Sequence, residues 1–397
     1  MLDIYAGHTA ARVIKETGLN QGQIKTLLGA SGGPKWFVLY GLDKYLMGDF
    51  FSNRTTPLNV IGSSVGSFRA ACFAQTNPVA STERLAQRYI DTTYGSKYVT
   101  PKAVTDSVRD IINAMLEDDG VTSIINNPIV KAHFIVTRAR GMVASENRLR
   151  QGMGLLKSAR INKRNRANLR QQYERVVFQP EDSTVTITDP YAIPTRTVTL
   201  TESNTREAIL ASGSLPIIMQ GIENIGGAPQ GRYRDGGIVD YHFDFDLEFD
   251  SDAATEPGNL CASTTETPEL PETFGAASAI SAPSTTAAGN KRDDGLILYP
   301  HFSAQLRAGW FDKKLNRRVN GAHYDRVVLI CPSAEFISQL PYGKIPDRSD
   351  FNKLDSNDRI KFWRQTTSES EKLAEAFARF IDDEDWSRMR PISELTA

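Results

Sequence analysis

The chain has 397 residues, 40% hydrophobic and 23% charged, enough apolar material for one large or two ordinary domains. Its net charge of -1 gives the whole molecule no electrostatic case for nucleic acid, and no run reaches the roughly eighteen apolar residues of a membrane span. The opening Met1-Leu2-Asp3-Ile4-Tyr5 lacks the basic start and apolar run of a signal peptide. Cys72, Cys261 and Cys331 are widely spaced and odd in number, so neither a disulfide framework nor a metal site is expected. The expected setting is reducing and cytoplasmic.

Residues 24–28 (Ile-Lys-Thr-Leu-Leu) read as a strand, followed by the loop Gly29-Ala30-Ser31-Gly32-Gly33. Pro34 suits the first residue of a helix, where its fixed φ and missing N–H do no harm, and residues 36–46 carry helical periodicity. Residues 58–61 form the next short apolar strand. There the chain enters Val60-Ile61-Gly62-Ser63-Ser64-Val65-Gly66-Ser67-Phe68-Arg69, a strand end, a Gly-x-Ser-x-Gly turn and a helix start. Such a bend forces the Ser64 hydroxyl outward, and Gly62 and Gly66 are needed where the helix crosses back over the strand. Strand and helix in alternation argue for an α/β sheet with a parallel portion.

Residues 138–175 hold eleven Lys or Arg against two Glu. A solvated helical face is the plain reading of this basic region, and contact with anionic lipid headgroups the functional one. An apolar stretch at 209–222 leads to a strand near 231–235. Residues 251–290, rich in Ser, Thr, Ala, Pro and Gly, carry too little apolar surface to fold and are expected to be a flexible insertion, either a lid or a tolerated surface loop. Short strands follow at 295–299 and 326–330. Near the C-terminus Ser368 and Glu371 suggest a capping box, with Leu373, Phe377, Phe380 and Ile381 on one helical face.

For a serine to attack an acyl carbon it needs a base, donors for the oxyanion and a site that limits water. The candidate oxyanion hole is the loop at Gly32, Gly33 and Lys35. Glycines permit close backbone approach, and N–H groups at a helix N-terminus favour negative charge. Lys35 opposes that dipole locally but adds positive potential, and an ordinary glycine-rich turn is the alternative. The candidate base is Asp235 in Tyr233-Arg234-Asp235-Gly236-Gly237, which alone also reads as a turn but follows a short strand, where α/β enzymes place active residues.

Together these motifs resemble the patatin-like lipid acyl hydrolases. The resemblance rests on Gly32-Gly33-Pro34-Lys35, on Gly62-Ser63-Ser64-Val65-Gly66 about thirty residues later, on Ala211-Ser212-Gly213-Ser214-Leu215-Pro216, and on Asp235-Gly236-Gly237. It covers about residues 22–240. It implies a three-layer α/β/α fold with a central, mostly parallel sheet, in a catalytic domain over 22–331 with a helical extension over 332–397 packing on it. It also implies a Ser–Asp dyad with Ser64 as nucleophile and Asp235 as general base, acting on a lipid or acyl-ester substrate with no cofactor, metal or nucleic acid. Ser31 stands where the family often has Gly, and Trp36 follows Lys35 where Gly is common; both bear on the shape of the hole or the acyl pocket.

Two rivals stay open. A Ser–His–Asp triad would recruit His301 or His323, with His242 close enough in sequence to line the site. A non-catalytic lipid- or protein-binding module would use the basic region. Satisfied surface or core histidines are the plain reading for all five. Asp240, Asp244, Asp246, Asp250 and Asp252 lack the glycine and terminal glutamate of a calcium loop and read as a solvated strand end.

Overall fold

A computed structural model of the chain describes residues 1–95, 99–249 and 295–397. The insertion expected at 251–290, with Asp250, Asp252 and Cys261, lies outside the described residues.

The strands in chain order are β1 (Leu2–Ala6), β2 (Ile24–Gly29), β3 (Leu58–Ser63), β4 (Val130–Ala139), β5 (Tyr173–Gln179), β6 (Val185–Thr188), β7 (Thr195–Thr199), β8 (Ile222–Glu223), β9 (Arg232–Asp235), β10 (Asp246–Phe249), β11 (Leu296–Pro300), β12 (Val327–Pro332) and β13 (Met389–Pro391). The main sheet runs β13-β1-β12-β11-β2-β3-β4-β5-β7, with β9 against β4 and β8 against β9; β6 and β10 pair separately. Its centre, β12-β11-β2-β3-β4, is parallel throughout, and β1, β5 and β9 join it antiparallel. Every residue of β3, β11 and β12 is buried, as expected of parallel strands covered by helices on both faces. This mixed, mostly parallel sheet flanked by helices is the three-layer α/β/α architecture.

Between β3 and β4 the chain runs through the helices Val65–Phe73, Pro78–Ile90, Pro101–Leu116 and Gly120–Asn126. Asn77 and Thr100 cap the second and third of these, with Pro78 and Pro101 at the first helical position. The helix expected at 36–46 is wound three ways: a 3₁₀ stretch Gly33–Leu39, an α-helix Tyr40–Tyr45 and a π-turn Leu46–Phe50. Trp36, Phe37, Val38 and Leu39 are all buried, so this segment is enclosed rather than one-sided.

The C-terminal helix differs from the sequence expectation. It runs Ser356–Asp382, and its cap is Asp355, whose carboxylate accepts the N–H groups of Asn357 and Asp358. Ser368 therefore lies in mid-helix, not at an N-terminus. Leu373, Phe377 and Phe380 do face the core, against the segment 33–50, and Trp363 meets Phe37 with ring centroids 5.1 Å apart. Gly41 lies so close that a side chain there would strike the backbone of Glu371 at 2.6 Å.

The acidic run is also corrected: Asp240 and Asp244 are buried, not solvated. Asp240 takes a two-pronged ion pair from Arg175, and Asp244 accepts the Tyr191 hydroxyl and the Asn320 N–H. Arg175 belongs to the basic region. Of its eleven cations, Arg138 and Arg140 pair with Glu174, Arg166 with Asp312, and Arg175 with Asp189 and Asp240. The other seven, six on the helix Arg148–Arg164 and Arg170 beyond it, are exposed.

Candidate active site

One edge of β4 assembles the site. Ile135 is the last β4 residue paired with β3, opposite Ser63, and the next residue, Val136, pairs with Asp235 of β9. Strands β3 and β9 thus meet end to end along a shared neighbour, and this brings together residues 171 positions apart. The Ser64 hydroxyl donates to Asp235 Oδ2 at 2.7 Å. The other carboxylate oxygen accepts the Gly237 N–H at 2.7 Å.

Ser64 sits at φ 56°, ψ -125°, the strained backbone of an elbow between β3 and the helix Val65–Phe73. A Cβ on Gly66 would lie 1.8 Å from the Gly29 oxygen, and one on Gly62 would lie 2.2 Å from Gly66. The helix can cross β2 and β3 this closely only because all three residues are glycine. Ser212 clamps the bend from behind: its Oγ accepts the Ser64 N–H at 2.9 Å and donates to the Ile135 oxygen at 2.7 Å. Ser214 supplies the carbonyl that receives the Asp235 N–H, at 2.9 Å. The Ala-Ser-Gly-Ser-Leu-Pro segment therefore fixes the backbones of both Ser64 and Asp235. Gly236, beside Asp235, packs against the Ile135 carbonyl and Ser63, where a Cβ would lie 2.2 Å from that oxygen.

The three residues named for the oxyanion hole take different places. Gly33 lines the same cavity as Ser64; its φ of +56° favours glycine, and a Cβ there would approach the Arg348 guanidinium to 3.0 Å. Gly32 lies behind it against Phe302. The Lys35 N–H turns back to the Gly32 oxygen at 3.4 Å, and its ammonium rests 5.2 Å from the Phe302 ring centre; Lys35 does not itself line the cavity. The two departures from the family pattern do not obstruct the pocket. The Ser31 hydroxyl donates to Ser63, tying the loop to the elbow, and Trp36 points into the core, its Nε1 donating to Asp43, which Arg69 also pairs in two-pronged fashion.

The cavity measures about 780 Å³. Val65, Phe68, Val104, Ile111, Leu215 and Met219 give it an apolar wall, while Arg348, Phe351 and Arg359 close it from the C-terminal region. Sequence reasoning missed Arg348 and Lys313: neither stands in a motif, and only the fold brings them near Asp235. Burial raises the Asp235 carboxyl above its ordinary pKa; the Ser64 hydrogen bond, Arg348, the Gly237 N–H and Lys313 pull the other way. Lys313 stays exposed as a residue. Partial desolvation of its ammonium, 3.8 Å from the Tyr241 ring centre, with repulsion from Lys35 and Arg348, brings its pKa down to about 8.

No histidine lines this cavity among the described residues. His242, expected as a candidate lining residue, instead packs behind the loop against Tyr241, His301 and Phe302, its Nδ1 accepting the Arg307 N–H. Burial depresses both rings, His301 to about 3. His323 bonds Asp244.

A strained elbow presents a serine to a buried carboxylate at the foot of an apolar cavity in an α/β/α fold. Residues 51–242, which hold both side chains, match the family model of the patatin-like phospholipases. The glycine loop at 31–35 and the cavity wall from 348–359 lie outside the matched segment. No curated protein matches the chain.

Proposed function

We propose that the protein hydrolyses carboxylic esters of lipids through a Ser64–Asp235 dyad and an acyl-enzyme. The observation that carries this is the direct 2.7 Å hydrogen bond from the Ser64 hydroxyl to a buried carboxylate. In this reading Asp235 takes the hydroxyl proton as Ser64 Oγ bonds to the ester carbon. The carbonyl oxygen becomes an oxyanion, held by N–H groups of the Gly32–Gly33 loop in the positive potential of Lys35, Lys313 and Arg348. Collapse breaks the ester bond, and Asp235 returns the proton to the departing alcohol. Water, deprotonated by Asp235, then attacks the acyl-serine; the fatty acid leaves and Ser64 regains its proton. A raised carboxyl pKa suits a base that must accept a proton from a hydroxyl, and an enforced contact supplies much of the remaining help. The apolar walls suit an acyl chain.

The test is turnover of a soluble short-chain ester by Ser64→Ala and Asp235→Asn. Each is expected to lose about three orders of magnitude or more in kcat with an unchanged circular dichroism spectrum. Activity retained in either variant sinks the dyad. Loss on replacing His242, His301 or His323 in a folded protein points instead to a triad.

A further inference from the structure

The helix Arg148–Arg164 buries Gln151, Gly154, Ser158 and Asn162, small or polar residues, against the body of the protein. Leu155 and Ile161 flank that face and pack inward, while the opposite face carries Leu149, Met153 and Leu156. Leu149 is 75% exposed, Met153 51% and Leu156 52%, at i, i+4 and i+7, so the three form one stripe in solvent. Around and beyond them stand Arg150, Lys157, Arg160, Lys163 and Arg164, all exposed, with no acidic residue in the helix. None of these cations forms an ion pair among the described residues, unlike Arg138, Arg140, Arg166 and Arg175 in the same basic region.

This face is continuous with the cavity mouth. Arg148, the first residue of the helix, lines the cavity together with Ile217 and Ile218, and Ile218 is itself 43% exposed. Gln151 accepts the Ile217 N–H at 2.7 Å, and Ile217 holds a φ of 68°, uncommon for a β-branched residue. The buried face of the helix is thus bonded to the cavity wall, and its exposed face carries the apolar stripe.

We propose that Leu149, Met153 and Leu156, with the surrounding cations, seat the protein on an anionic lipid surface with the cavity mouth toward the membrane. Apolar side chains in a basic field match the boundary between acyl chains and acidic headgroups. A second copy of the chain is a poor occupant, because like charges would face each other. The seating does not depend on the chemistry assigned to Ser64, although it deepens that reading by saying from where the acyl chain enters.

The experiment is co-sedimentation with phosphatidylcholine vesicles and with vesicles containing about 30% phosphatidylserine. The expected result is binding to the anionic vesicles at least about tenfold tighter than to the neutral ones. That binding drops by about tenfold or more both in Leu149→Ser/Met153→Ser/Leu156→Ser and in Lys157→Glu/Arg160→Glu. Soluble-ester turnover, or the circular dichroism spectrum if there is no turnover, stays unchanged in both. Ser64→Ala binds as wild type. A wild type that binds neither vesicle overturns the proposal, as does either surface variant binding like wild type. Vesicle binding without ester turnover overturns the proposed function and leaves the docking face standing.

Discussion

Asp235 holds its proton more tightly than a solvated carboxylate because burial outweighs the Ser64 hydroxyl, Arg348, the Gly237 amide and Lys313. In the proposed dyad the ionised form is the acceptor, so turnover is expected to fall as pH drops through this raised value, above the ordinary 3.8. For stability the sign reverses. A carboxyl with a raised folded-state pKa favours the fold below its unfolded pKa and loses that contribution as pH rises through the folded one. At the alkaline end Lys313 loses its charge near pH 8, and with it part of the positive potential around Asp235 and the proposed oxyanion site. A kcat/KM profile should therefore decline above about pH 8, and Lys313→Met should remove that limb at a lower overall rate. Burial pushes His242 and His301 well below the ordinary histidine value, so a limb near pH 6.5 that disappears on replacing either would contradict the assignment.

At the scale of elements, the elbow is held by contacts rather than by propensity. Ser212 satisfies the buried Ser64 N–H and reaches the Ile135 carbonyl on β4. Ser212→Ala leaves both groups without that partner. It should cost about 1–3 kcal/mol and lower kcat more than it changes KM, readable from thermal melts and ester kinetics. An unchanged kcat would show that the clamp does not set the geometry of Ser64. Ser64 and Asp235 were legible in the sequence because a strand, a Gly-x-Ser-x-Gly turn and a helix leave a local signature, and Asp-Gly-Gly another. The role of Ser212 was not, since its partners lie 148 and 77 residues away. The cap at Asp355 was passed over because Ser368 and Glu371 offer the same local pattern twelve residues into a helix already formed. Asp240 and Asp244 read as solvated for a similar reason: their burial depends on Arg175 and Tyr191, far back in the chain.

At the scale of the whole molecule, the C-terminal region closes the candidate site. Arg348, Phe351 and Arg359 line the cavity, and Trp363 locks the helix Ser356–Asp382 onto the 3₁₀ stretch Gly33–Leu39 that begins at the glycine loop. Trp363 is fully buried against Phe37, Tyr89 and Phe351, its Nε1 donating to Asp350. Trp363→Ala should cost about 3–5 kcal/mol and cut activity through the displaced loop, measurable by denaturant melts beside ester turnover. Full activity in such a variant would show that the C-terminal region is packing alone. No helix among the described residues is long and apolar enough to cross a membrane.

The proposed mechanism requires Asp235 to activate Ser64. A fluorophosphonate probe, with its adduct located by peptide mass spectrometry, reads that activation without a substrate. A single adduct on Ser64, absent from folded Asp235→Asn, is the predicted result. An adduct on Ser64 that persists in Asp235→Asn, or none on Ser64 in the folded wild type, would contradict it.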